Sequence, residues 1–294
     1  MLILIGVFFA GLIVFHLLER VAPIYPDRRR GPGRRAYAAD IIAAAVDGPI
    51  LSGLTKLAAF WLVTRVPAIS GWMTGWPRGS QLAVYLLAND LARYWLHRWY
   101  HESDVLWRVH RVHHTVVEMD ALSTFRVHLF EAVIKYGVII LPFRLAGIDA
   151  GVMILYSAVD ILKGFWHHAN LRTYIGPLNY VFNSAELHWW HHSAQAPGQR
   201  SNYGSMLSVW DLLFGTFYWP RGRWPERIGV KGMEAFPDGY LGLFASVRFD
   251  DAGAVRAYGA GRGTMRTRTR TGPPRRPEEP TCDEPEAAGV AEAS

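Results

Sequence analysis

The chain is short of cysteine, of metal-binding carboxylate motifs and of every common cofactor fingerprint. One cysteine occurs in 294 residues, Cys282, in a polar C-terminal stretch; this excludes a disulfide framework and a thiolate metal site. No His-Glu-x-x-His pattern is present, so the helical zinc-protease arrangement is absent. No Glu-x-x-His pair is present either, which excludes the carboxylate-rich di-iron site of ferritin-like bundles. A haem-binding His-Pro-Gly-Gly segment is missing. "GAGRGT" (Gly259–Thr264) comes nearest to a nucleotide-binding glycine loop, but no strand precedes it and its final glycine is missing.

What the chain has in quantity is apolar length. Half of its residues are hydrophobic, and they come in blocks. Leu2–Leu18, "LILIGVFFAGLIVFHLL", carries no charge and approaches the roughly 20 residues that cross a bilayer core of ~30 Å. No basic segment precedes it and no small-residue cleavage site follows, so it reads as a retained helix rather than a signal peptide. Six arginines between Glu19 and Arg35 come directly after it. Without interleaved aromatics they make no nucleic-acid platform, and they read as a cytoplasmic anchor under the positive-inside rule. A second block, about Asp40–Val66, contains Asp47, Gly48, Pro49 and Lys56, and fits either one kinked span or a re-entrant pair. Thr74–Ser80 reads as a turn, with Trp72 and Trp76 at the interface. A third block, "LAVYLLANDLARYWLH" (Leu82–His97), leads into the histidines. Ala132–Ile148 and Gly151–Trp166 read as a hairpin. Counting spans from the arginine loop brings His97, His167 and His168 to one side, the cytoplasmic one. Residues 251–294 lack apolar periodicity and read as a disordered cytoplasmic tail.

The histidines are the chemical signal. Eleven of the twelve lie between His97 and His192. His97 and His101 stand at i, i+4, on the helical face that also carries Asp90 and Tyr94. His110, His113 and His114 set a His-x2-His-His spacing, and His188, His191 and His192 repeat it. A lone His16 or His128 is adequately explained by packing or capping; the set is not, and it points to metal. Imidazoles suit Zn, Cu, Fe and Ni alike. Eight or more exceed the four ligands of a closed zinc site, which implies two metals.

These boxes, with "STFRVHLFEAVI", "HHANL" and "NYGSMLSVWDLLFGTFYWP", resemble the fatty acid hydroxylase/sterol desaturase superfamily over about Leu82–Pro220. "LLERVAP" is a weaker echo near the first helix. The resemblance implies an all-α integral-membrane helical bundle with a cytoplasmic histidine-rich helical cap. It also implies a non-haem di-iron centre that uses O2 to hydroxylate or desaturate a lipid: a fatty acyl, sterol or related apolar chain. Carried over by position, the iron ligands are His97, His101, His110, His113, His114, His168, His188, His191 and His192. Related fatty acid 2-hydroxylases carry a further histidine where this chain has Gly164, and His167 is the substitute. After Arg126 the chain reads His-Leu-x-Glu where many members have His-Pro-x-Glu.

A ligating imidazole usually gives its other N–H to a carboxylate or carbonyl. Asp90 and Asp160 lie in apolar blocks, where a carboxylate costs roughly 2.5–3.5 kcal/mol. Each stands two turns before a histidine and is expected to orient it. Glu186 either does the same for His188 or is a first-turn helix carboxylate. Asp211 reads as a hydrogen bonder that closes the fold. The expected organisation is 1–81 as N-terminal membrane helices with the arginine loop, 82–220 as the catalytic domain, 221–250 as an extension of the cap and 251–294 as the tail. The expected partners are the bilayer, a lipid substrate and a separate electron donor, cytochrome b5-like or ferredoxin-like, with no nucleic acid. Two rival readings are a membrane metal-handling protein, which would string histidines along a path, and a zinc-dependent membrane hydrolase, which needs one metal and no O2.

Overall fold

Helices dominate because apolar and small residues fill long stretches that proline does not interrupt, apart from Pro142 in a first helical turn. The computed structural model describes residues 2–26, 38–45 and 71–230, with the isolated positions 58, 61, 242 and 247. The arginine run from Arg28, the second apolar block beyond residue 45, and the tail with Cys282 lie outside the described residues. Among the described residues there is no β-strand, only two isolated antiparallel bridges, Phe182–Leu207 and Ser193–Ile228.

Helix α1 (Leu2–Val21) is the one described helix long and apolar enough to cross a membrane. Phe8, Leu12 and Phe15 pack on Phe165, while Leu2, Phe9, Ile13 and Leu17 stay exposed on the other side. Gly11 permits the approach: a Cβ there would lie 2.9 Å from the Leu162 side chain and 3.0 Å from the Phe165 ring. Small residues let helix backbones close in this way. Helix α2 (Arg78–Glu102) has 25 residues, a length of about 38 Å at 1.5 Å each. It stops at Ser103, whose extended backbone breaks the helix and whose Oγ accepts from Leu106 N at 3.4 Å to start α3 (Asp104–His114). Because a single residue joins them, α3 folds back against α2.

Helix α4 (Leu129–Lys135) runs through a π-helical turn, Tyr136–Ile140, into α5 (Leu141–Leu145). Gly147, at φ +83°, then reverses the chain; a side chain there would collide with the Gly71 backbone. Asp149 accepts from Gly151 N at 2.8 Å and caps α6 (Ala150–His168). This pair is the hairpin expected over 132–166. The short α7 (Ala185–His191) is capped by Ser184, and α8 (Val209–Leu213) follows.

Three buried clusters lock these elements. Tyr85, Val152, Tyr156 and Met206 join α2 to α6. Leu96, Tyr100 and Ile139 hold α2 on the π-turn. Ile24, Val116, Met119 and Ile228 close over Trp189 of α7. Burying such a side chain contributes roughly 1.5–3 kcal/mol, and together the clusters fix three histidine-bearing helix ends against α7.

Candidate metal centre

The two His-x2-His-His boxes lie on α3 and at the end of α7, with His97 and His101 on α2 and His168 ending α6. Their rings sort into two groups. His97, His101, His110, His114 and His191 form one, and His113, His168, His188 and His192 the other; within each, one ring nitrogen per residue lies within 4.8 Å of the rest. The i, i+4 pair of each box stays together, while its i+3 member crosses to the other group. On a helix, i+3 and i+4 diverge by about 100°, so each box faces two points at once. His114 and His192 stack at 4.3 Å where the groups adjoin.

Hydrogen bonds set the orientation of five of the rings, four of them to backbone carbonyls. Through Nδ1–H, His97 donates to the Tyr203 carbonyl (2.9 Å), His113 to that of Arg126 (3.2 Å), His168 to that of Gly164 (2.9 Å) and His191 to that of Ser201 (2.8 Å). His110 donates Nδ1–H to Glu131 Oε1 at 2.9 Å. In neutral rings this leaves Nε2 bare. Yet His113 Nε2 and His168 Nε2 stand 3.2 Å apart, two lone pairs facing each other. His97 Nε2 and His191 Nε2 are buried without a hydrogen-bond partner. Nitrogens bound about 2.1 Å from one ion stand roughly 3.0–3.4 Å apart, and a cation between them turns the repulsion into ligation. The residues fit a metal in each group.

Burial also disfavours protonation of eight of the nine rings. It holds His101, His113, His114, His188 and His192 well below the ordinary imidazole pKa, with neighbouring imidazoles adding to the effect. Burial pulls His168 down to about 4 and His191 to about 3. Neutral imidazole is the ligating form.

A fatty acid hydroxylase model matches residues 82–216, the stretch that supplies all nine of these imidazoles. Residues 82–216 are a domain of the fatty acid hydroxylase/sterol desaturase superfamily. The chain is 33% identical to ornithine lipid hydroxylase OlsE of Rhizobium tropici, over 59% of this chain and 52% of that one. It is 29% identical to the human (Homo sapiens) alkylglycerol monooxygenase, over 45% of this chain and 29% of the relative. With methylsterol monooxygenase 1-1 of Arabidopsis thaliana it shares 31%, over 47% of this chain and 46% of the other. The chain thus spans about half or less of the length of these relatives. No solved structure matches it.

Within this domain Asp90 and Asp160 do not stand where the sequence suggested, and Glu186 takes the second of its two readings, a carboxylate in the first turn of α7. Asp90 faces away from the imidazoles: it accepts from Met206 N (2.6 Å), Leu207 N (2.9 Å) and Trp210 Nε1 (2.9 Å). Asp160 is engaged on both oxygens by Arg93, at 2.5 and 2.7 Å. Glu186 accepts from Asn179 Nδ2 at 3.0 Å and Gly222 N at 3.3 Å. Three such donors or a guanidinium outcompete a ring that a carbonyl already serves. Asp211 closes the fold as expected, accepting from Tyr203 N (2.7 Å), Gly204 N (2.8 Å) and Thr216 Oγ1 (2.6 Å); burial pushes its pKa up to about 6. Asp90 and Asp211 together hold the loop that offers the Tyr203 carbonyl to His97.

His167 lies outside both groups, donating Nε2–H to the Asn183 carbonyl at 2.8 Å and stacking on His188. At Gly164 a Cβ would lie 2.7 Å from Thr124 Oγ1, so this chain has no ready room for a histidine there. The carboxylate that does reach a ligand is Glu131. Its signal was the His-Leu-x-Glu word, present in the sequence but with no register linking it to His110. A second unforeseen support is the buried Asp40–Arg126 pair, at 2.8 and 3.0 Å, behind the carbonyl that takes His113.

Proposed function

We propose that this chain is an integral-membrane, non-haem di-iron oxidoreductase that uses O2 to hydroxylate or desaturate a lipid. One observation carries the reading: nine imidazoles, eight of them buried and His97 half-buried, in two adjoining groups, with ring nitrogens at the spacing of ligands on one ion. The names of the relatives, a lipid hydroxylase and two monooxygenases of lipid-like substrates, support oxidation of the same broad class. When bound, the irons supply the activation of O2. Hydroxylation balances as R–H, O2, two electrons and two protons giving R–OH and water.

The protein's own part is to hold and orient. Five imidazoles would hold one iron and four the other. Backbone carbonyls and Glu131 fix which nitrogen of His97, His110, His113, His168 and His191 carries the proton, and burial disfavours the charged form of eight of the nine rings. A cavity of about 190 Å³, lined by His97, His110, His113, His168 and His188 among others, lies beside both groups and receives the reacting end of the substrate. The electrons come from a separate donor, cytochrome b5-like or ferredoxin-like, docking on the cytoplasmic side where the active site and tail lie. Residues 1–81 anchor the domain, 82–220 carry the catalysis, 221–250 extend the cap and 251–294 form the tail. The convergence of the imidazoles on two points, rather than along a path, favours this reading over metal transport.

The deciding experiment counts metals and products together. Purified protein should carry close to two irons per chain and consume O2 with a lipid and a reductant. His188→Ala should empty the four-imidazole group and abolish oxidation. One metal with full activity, or lipid turnover without O2, would overturn the proposal.

A further inference from the structure

The cavity beside the imidazoles has a second chemistry in its wall. Arg93, Lys135, Asp160 and Lys163 line it together with the histidines. Arg93 and Asp160 neutralise each other, and Arg93 spends further N–H groups on Ser205 Oγ (2.9 Å) and Tyr156 Oη (3.3 Å). Glu131 turns one oxygen to His110. Lys163 is different: its Nζ is buried and has no hydrogen-bond partner. Lys135, on α4, adds another ammonium to the same wall. Cations therefore exceed the carboxylates left to meet them.

A buried ammonium with none of its three donors satisfied carries a desolvation cost that an acyl chain cannot relieve. The volume points the same way. At about 190 Å³ the cavity falls below the roughly 300–1,000 Å³ of clefts that enclose whole ligands, so it takes one end of a lipid. We infer that this end is an oxyanion-bearing head group, a carboxylate or phosphate received by Lys163 with Lys135. The carbon presented to the metal groups then lies within a head group's reach of that anion, and the apolar tail extends outside the cavity. This rests on the lipid-oxidation reading and deepens it.

The test uses the metal-loaded full chain in dodecyl maltoside micelles, which carry no oxyanion, and no reductant, so that binding is read without turnover. Three probes share a sixteen-carbon chain: N-palmitoylglycine, hexadecyl phosphate and the neutral N-palmitoylethanolamine. At least one anionic probe should bind about tenfold or more tighter than the neutral one, as expected for hydrogen bonds to a charged group; the ratio between the two anionic probes identifies the oxyanion. Lys163→Met should erase the preference and Lys163→Arg should keep it, with metal content unchanged in both. Equal binding of all three probes by the unaltered chain, or a preference that survives Lys163→Met, overturns the inference. Lipid oxidation is assayed separately. Oxidation without head-group preference sinks this inference alone, and preference without oxidation sinks the oxidation reading alone.

Discussion

Replacing Glu131 by glutamine keeps an acceptor oxygen opposite His110 Nδ1 and removes its charge. The contact is 2.9 Å between side chains only 3% and 9% exposed, so solvent screens little of it. Hydrogen bonds to charged groups contribute about 1.5–3 kcal/mol and neutral ones about 0.5–1.5. The difference, about 1–1.5 kcal/mol, corresponds to roughly 5–15-fold in affinity. The loss should be local. His110 belongs to the five-imidazole group, and Glu131 hydrogen-bonds none of the other four imidazoles. In a chelator titration followed by metal counting, Glu131→Gln should release one metal per chain at lower chelator concentration and the second at the unaltered value. Glu131→Ala, which also strips His110 of its acceptor, should widen the gap towards the 10–100-fold typical when a ligand's supporting partner is lost. Circular dichroism at each point checks that the chain stays folded. Simultaneous release of both metals, or no change in a folded Glu131→Ala chain, would refute the division into two centres.

Two other outcomes follow from the geometry. Asp90→Asn puts an amide NH2 where three N–H donors converge, and should cost about 1–3 kcal/mol of stability, read as a lower Tm and faster proteolysis of residues 203–210; an unaltered Tm would show that Asp90 does not hold that loop. Acid should destabilise the metal-free chain, because rings with folded pKa values of about 3 to 4 have an ordinary value of 6.5. The unfolded chain then binds more protons than the folded one, so stability falls as pH drops below about 6.5 and continues to fall towards 4; helicity that is flat or rising across that range would contradict neutral burial.

The parts of this site that are legible in sequence are those that obey helical periodicity. His97 with His101, and the two repeated boxes, announce themselves because i, i+3 and i+4 are neighbours on a helix. The same logic failed for Asp90 and Asp160. Two turns along one helix bring residues to the same face, but whether a carboxylate there meets an imidazole, a guanidinium or a loop depends on what packs opposite. Arg93 and the Met206–Leu207 amides are decided by tertiary docking. Glu131 was hidden for the converse reason: it is 21 residues from His110 and on another helix. The carbonyls of Arg126, Gly164, Ser201 and Tyr203 were invisible in principle, since every residue has one. The helical character of the described residues and the 132–166 hairpin could be read from block lengths, whereas the one-residue break at Ser103 could not.

The division of each histidine box between two groups has a consequence for how this chain persists in a cell. Metals bound there would tie α2, α3, α6 and α7 to one another, a span from His97 to His192. In a chain with one cysteine, they take the place that cross-links hold in secreted domains. A covalent link closing about 100 residues is worth roughly 4.7 kcal/mol in chain entropy, a sizeable fraction of a typical domain's stability. Without metal, the same residues leave a buried nest of mutually repelling lone pairs. Metal supply would then govern abundance: chains left unloaded would open more often, and quality-control proteases would remove them.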